Sequence, residues 1–147
     1  MSKPFYILLA LGCLIGSDDA KTSDQSKKDL QKMQGTWHAI AVEVKGTPSD
    51  ADALKKFELV VKNDSYTVKT SGKEHVSAKL VLGADKEPKE MDVVLETDPV
   101  YKAIYEIDGD TLKICIVLSS DDDSKRPKEF KSEEDSNTAL FTWERTR

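Results

Sequence analysis

The sequence predicts an all-β fold: a single antiparallel up-and-down barrel of about eight strands with a short helical turn in front of it. Three observations carry this expectation. Between residues 36 and 145 the apolar side chains recur with a period of two, in runs six to nine residues long. Those runs are divided by compact turn signals such as Asn63-Asp64, Ser71-Gly72 and Asp108-Gly109. No long stretch of helical periodicity interrupts the series. Short antiparallel strands in this number close most economically on themselves, because closure leaves no unpaired edge. An open sandwich of two sheets is the alternative.

In chain order, "KDLQKMQ" (28–34) places Leu30 and Met33 on one side of one or two helical turns, and Gly35 is expected to end them in a left-handed cap. "TWHAIAVEV" (36–44) is the first strand. Gly46 to Asp52 turns the chain, with Ser49-Asp50 capping a short helix that runs to Lys56. "FELVVK" (57–62), "SYTVKT" (65–70) and "EHVSAKLVL" (74–82) follow as a meander. After the loop "GADKEPKE" (83–90), "MDVVLE" (91–96) alternates Met91, Val93 and Leu95, and Asp98-Pro99 breaks the run. "YKAIYEI" (101–107) and "TLKICIVL" (111–118) flank Asp108-Gly109, the strongest hairpin signal, where a type I′ turn wants positive φ at both central residues. A polar loop (119–136) precedes the last strand, "TALFTWER" (138–145).

The 147 residues leave room for one domain. "MSKPFYILLALGC" has the parts of an export signal: Lys3, an apolar run from Phe5 to Leu11, then Gly12 before Cys13. The run is well short of the roughly 20 apolar residues that span a bilayer as a helix. It resembles a bacterial lipoprotein signal, which implies lipid attachment at Cys13, although "Ala-Leu-Gly-Cys" departs from the favoured Leu-Ala-Gly-Cys order. Cleavage near Gly16 or Ser17, releasing a secreted soluble chain, is the alternative. The division is therefore 1–16 export signal, 17–28 flexible polar tether and 29–147 barrel. Either route takes the chain out of the cytoplasm, to the periplasm, to a membrane anchor or into the medium.

Composition and motifs narrow the function by exclusion. A net charge of −5, with Lys and Asp/Glu interspersed, argues against nucleic acid as a partner. Two cysteines, Cys13 and Cys115, make no disulfide framework, and Cys115 within "LKICIVL" reads as a small core residue. No catalytic residue can be assigned: the chain has no G-x-S-x-G, no Cys-His pair close in sequence and no Gly-rich phosphate loop. The chain is therefore read as no enzyme. His38 and His75 lie in strands without metal-ligand spacing, so neither a metal nor a haem is expected. Asp121-Asp122-Asp123 and Glu133-Glu134-Asp135 lack the alternation and glycine of a calcium loop and read as solvated acids. Every acid is expected in a loop or facing outward, and no cofactor is called for.

Gly35-Thr36-Trp37 at the head of the first strand, behind a helical turn, resembles the lipocalin signature. That likeness implies an indole closing the barrel floor and a basic side chain near the end of the last strand, Arg145 or Arg147, packed across its face. Glycine permits the close approach, and a guanidinium stacks well on an indole. "DLQKMQGTW", "LKKFELVV", "YEIDGDTLKIC" and "RPKEF" together resemble a short lipocalin-like domain abundant in planctomycete bacteria, over residues 29–145. The resemblance implies an exported or envelope-bound small barrel and brings no catalytic or ligand-binding residues with it.

Two functions remain. The first is a binding module holding a small apolar or amphipathic ligand in the barrel. The second is a packed structural or interaction domain on the cell envelope, displaying the acidic 119–136 loop and holding no ligand. Bulky candidates for the interior (Trp37, Phe57, Tyr66, Tyr105, and Phe141 or Leu140) favour a filled core, and the superfamily likeness favours a ligand. Tyr101, Tyr105 and Trp143 are read as core aromatics. The partners in view are a small hydrophobic ligand and, through Cys13, a bacterial membrane.

Overall fold

A computed structural model describes residues 23–97, 99–121 and 124–147. Helix α1 (Asp24–Met33) starts where the Ser23 side chain accepts the Ser26 amide at 3.1 Å, a Ser N-cap. It thus includes residues 24–28, which polarity alone assigns to a tether. Its buried stripe is Ser26, Asp29 and Met33, polar in two of three positions, so apolar periodicity could not reveal its first turns. Gln34 caps the helix in an extended conformation. Gly35, at φ +121°, is the first residue of β1 and not the left-handed cap.

The strands are β1 (Gly35–Val44), β2 (Thr47–Pro48), β3 (Phe57–Lys62), β4 (Ser65–Thr70) and β5 (Lys73–Gly83). They continue as β6 (Glu90–Leu95), β7 (Val100–Asp108), β8 (Thr111–Val117) and β9 (Thr138–Arg145). A short helix α2 (Ala51–Leu54), capped by Asp50, lies between β2 and β3. Every neighbouring pair is antiparallel, and β1 pairs with both β3 and β9, so the meander closes into a barrel. The two-residue β2 only extends the β1 hairpin, which leaves eight strands in the wall and rules out the open sandwich.

Two details depart from simple alternation. In β1, Ala39 faces Trp143 and Ala41 faces Thr142, so Ile40 is an extra, bulged residue. Trp37 and Ala39 point inward before the bulge, Val42 points inward after it, and Ile40 stays 42% exposed. The β7–β8 hairpin turns through Gly109-Asp110, with glycine alone at positive φ (+58°), where a type I′ turn would need both residues there.

The strand directions put Gly35, Val61, Ser65, Gly83, Asp108 and Arg145 at one end, which α1 crosses, and the 45–56, 71–72, 96–99 and 118–137 connections at the other. We call these the floor and the mouth. The floor half is filled: Met33, Trp37, Leu59, Met91, Ala103, Tyr105, Leu112 and Ile114 are all buried. Trp143 stacks on Phe141, centroids 5.6 Å apart and planes 4° from parallel. Phe141 faces in, whereas Leu140 pairs with Cys115 on the outer surface.

From Ser124 to Lys131 the last connection folds back over β6–β8. Arg126 Nη1 donates to the Met91 and Ala103 carbonyls (3.0 and 2.8 Å), and Nη2 donates to Asp92 Oδ1 (2.7 Å). Lys102 Nζ donates to the Ser124 carbonyl, and the Cys115 thiol to that of Lys131. Ile104 and Cys115, though outward-pointing, are buried.

Candidate functional site

At the floor, the Trp37 indole is fully buried and its Nε1 donates to the Met33 carbonyl at 2.9 Å. Register pairs Trp37 with Arg145, whose guanidinium carbon lies 4.2 Å from the ring centroid. The same guanidinium donates to the Gln34 carbonyl (2.6 Å), the Lys32 carbonyl and Asp110 Oδ1 (3.2 Å), satisfying carbonyls at the end of α1. A Cβ on Gly35 would lie 3.2 Å from Arg145 Nη1, so a side chain there would push the guanidinium away. Arg147 takes no part in the stack and pairs with Asp110 from outside.

A second floor contact was invisible in the sequence, where every acid reads as loop-borne or outward. Asp29 is fully buried on α1 and accepts from Gln25 Nε2 (2.8 Å), Lys89 Nζ (2.8 Å) and the Tyr105 hydroxyl (2.7 Å). Burial pushes its carboxyl up. The hydrogen bonds from Lys89, Tyr105 and Gln25, with the lysine charge, outweigh that and hold it below the usual carboxylate range. Burial and the neighbouring carboxylate push the Tyr105 hydroxyl far up. The cluster pins α1 across the floor, with Ser26 adding bonds to the Leu82 carbonyl and Ala84 amide at the end of β5. The one available signal was the helical spacing of Ser26, Asp29 and Met33.

The mouth is different. A cavity of about 450 Å³ opens there, within the range of small-molecule sites. Val42, Val68, Val76, Val93, Leu95 and Ile116 form its aliphatic wall, with Phe57 and Phe141 beside them. Ser49, Tyr66, His75 and Tyr101 supply its polar groups, and Val44 and Leu118 form an apolar, exposed rim. Phe57, Tyr66 and Phe141 therefore lie along the wall and do not fill the bore. Burial pushes the Tyr66 hydroxyl strongly up.

The remaining residues singled out above are scattered. His38 is exposed on β1, its Nδ1 3.3 Å from the Thr146 hydroxyl, and His75 sits at the mouth. Burial pushes the Cys115 thiol up, against a nucleophilic role. Among the described residues no three His, Cys, Asp or Glu side chains gather to hold a metal. Cys13 and the rest of the leader lie outside the described residues, as do Asp122 and Asp123. No family model, curated protein or solved structure matches the chain.

Proposed function

We propose that the protein is an exported, lipocalin-like binding module that holds a small apolar or amphipathic molecule in the open half of its barrel. The observation that supports this reading is the cavity of about 450 Å³, walled by aliphatic and aromatic side chains above a filled floor. A packed scaffold would have its bore filled from end to end. The Trp37–Arg145 stack and the Asp29 cluster make a rigid base, so the open half is pre-formed, which lowers the entropic cost of binding.

The proposed address is the cell envelope, through an acyl group on Cys13, with secretion after later cleavage as the second route. The chain enters the fold at the floor, so an upstream anchor leaves the mouth free to exchange its ligand. Among the described residues no helix is long and apolar enough to cross a membrane.

Native mass spectrometry of protein purified from its own envelope tests the binding reading. A co-purifying small molecule of defined mass is the expected result. Apoprotein alone, combined with failure to bind any neutral apolar fluorophore, would overturn it. For the address, Cys13→Ser is expected to abolish membrane fractionation, and unchanged fractionation refutes the lipoprotein route.

A further inference from the structure

The few polar groups of the cavity narrow the class of molecule it can take, an inference that rests on the binding reading above. The first observation is charge. Among the described lining residues there is no Lys, Arg, Asp or Glu, and the one histidine, His75, is exposed at the rim. A carboxylate or ammonium carried past that rim would lose its hydration with no opposite charge to meet it, a severe penalty. The deep half of the site therefore selects against ions.

The second observation is an unpaired donor. Tyr66 is rooted at the floor end of β4, beside the Asn63-Asp64 turn, and only 5% of it remains accessible. It lines the cavity, yet its hydroxyl forms no hydrogen bond with any described residue, and desolvation is the sole influence on its titration. Held neutral, it keeps its proton to donate, while its oxygen can also accept. A third observation agrees in sign. Trp143, one inward position deeper than Phe141 and stacked beneath it, carries a buried indole N–H with no hydrogen-bond partner among the described residues. Buried polar groups are normally partnered, and an indole N–H can only donate. The hydroxyls of the lining can donate or accept, whereas the one buried unpartnered group confined to a single sense, the Trp143 N–H, donates, so an acceptor is the ligand group that complements both.

We infer that the cavity takes a neutral amphiphile carrying a carbonyl acceptor (a ketone, aldehyde, ester or quinone), that this acceptor enters first and accepts from the Tyr66 hydroxyl, and that the hydrocarbon lies along the Val and Leu walls towards the mouth. Tyr66 is then the specificity-determining residue. A fatty-acid anion is a poor fit, because its carboxylate finds no cation either deep in the cavity or along its wall.

The test uses the full 147-residue chain and the neutral fluorophore N-phenyl-1-naphthylamine, displaced in turn by 2-octanone, octanoate and octane at neutral pH. 2-Octanone is expected to bind about tenfold or more tighter than octanoate. Tyr66→Phe is expected to weaken 2-octanone about three- to tenfold, the loss of one hydrogen bond, while octane and the fluorophore stay within about twofold. The infrared carbonyl band of bound 2-octanone should lie below its position in hexane, a readout that needs no variant. Octanoate binding as tightly as the ketone, equal effects of Tyr66→Phe on ketone and octane, or a carbonyl band at its hexane position overturns the inference. In each of those cases bound fluorophore still supports a cavity that takes ligands. A chain that binds neither fluorophore nor octane overturns the binding reading itself.

Discussion

Replacing Trp37 with Ala removes the floor of the barrel. The indole is fully buried, and truncating a buried large aromatic costs about 3–5 kcal/mol from lost transfer energy and the cavity left behind. Two further losses place Trp37→Ala in the upper part of that range. The Met33 carbonyl loses its donor, about 1 kcal/mol, and the Arg145 guanidinium loses the ring beneath it, about 0.5–1 kcal/mol at a partly exposed site. A loss of about 4–5 kcal/mol is therefore expected, a large share of the 5–15 kcal/mol typical of a domain. Trp37→Phe keeps most of the packing and loses the N–H, so about 1–2 kcal/mol is expected. Urea unfolding followed by far-UV circular dichroism measures both without relying on tryptophan emission. A loss below about 1 kcal/mol for Trp37→Ala would refute the role of the indole as a buried floor.

Three other outcomes follow from the same geometry. Val76→Trp, placed on the cavity wall, should abolish binding of N-phenyl-1-naphthylamine while leaving the urea midpoint unchanged or higher; retained binding would mean the fluorophore sits elsewhere. Asp29→Ala should cost about 3 kcal/mol, the low end for a broken buried pair because the Lys89 side chain is 34% exposed and can turn to water. Since the folded chain holds the Asp29 carboxyl below its ordinary value, its stabilisation is complete above about pH 4 and is lost as pH falls through the ordinary 3.9 towards the lower folded value. The wild type should accordingly lose its advantage over Asp29→Asn in acid, by urea midpoints between pH 7 and pH 3. Arg126→Met should free the 119–136 connection from β6 and β7, costing about 2 kcal/mol and speeding tryptic cleavage after Lys128 or Lys131; an unchanged digestion rate would count against the strap.

Strand positions were legible because a half-buried strand writes its two faces into alternate residues, and Met91, Val93 and Leu95 or Tyr101, Ala103 and Tyr105 do so plainly. Closure was legible as an economy of edges and is realised in the β1–β9 pairing. The Ile40 bulge was not, since one inserted apolar residue within "HAIAV" leaves the composition of the strand unchanged while reversing the parity beyond it. The start of α1 was hidden for a related reason: it docks through Ser26 and Asp29, whose partners Leu82, Ala84, Lys89 and Tyr105 lie more than fifty residues away. The cavity was hidden because side-chain volumes read from a sequence do not say which way a ring lies. Tyr105 and Trp143 lie in the filled interior, whereas Phe57, Tyr66, Tyr101 and Phe141 line a wall.

A barrel plugged at one end and open to a ligand at the other has a signature in the amide chemical shifts of the labelled chain titrated with N-phenyl-1-naphthylamine. Saturable shifts at Val42, Val68, Val76, Tyr101 and Phe141, with Met33, Leu59 and Leu112 unmoved, are the expected pattern. Shifts confined to outward-facing residues such as Ile40 and Val81, or no saturable shift at all, would contradict it.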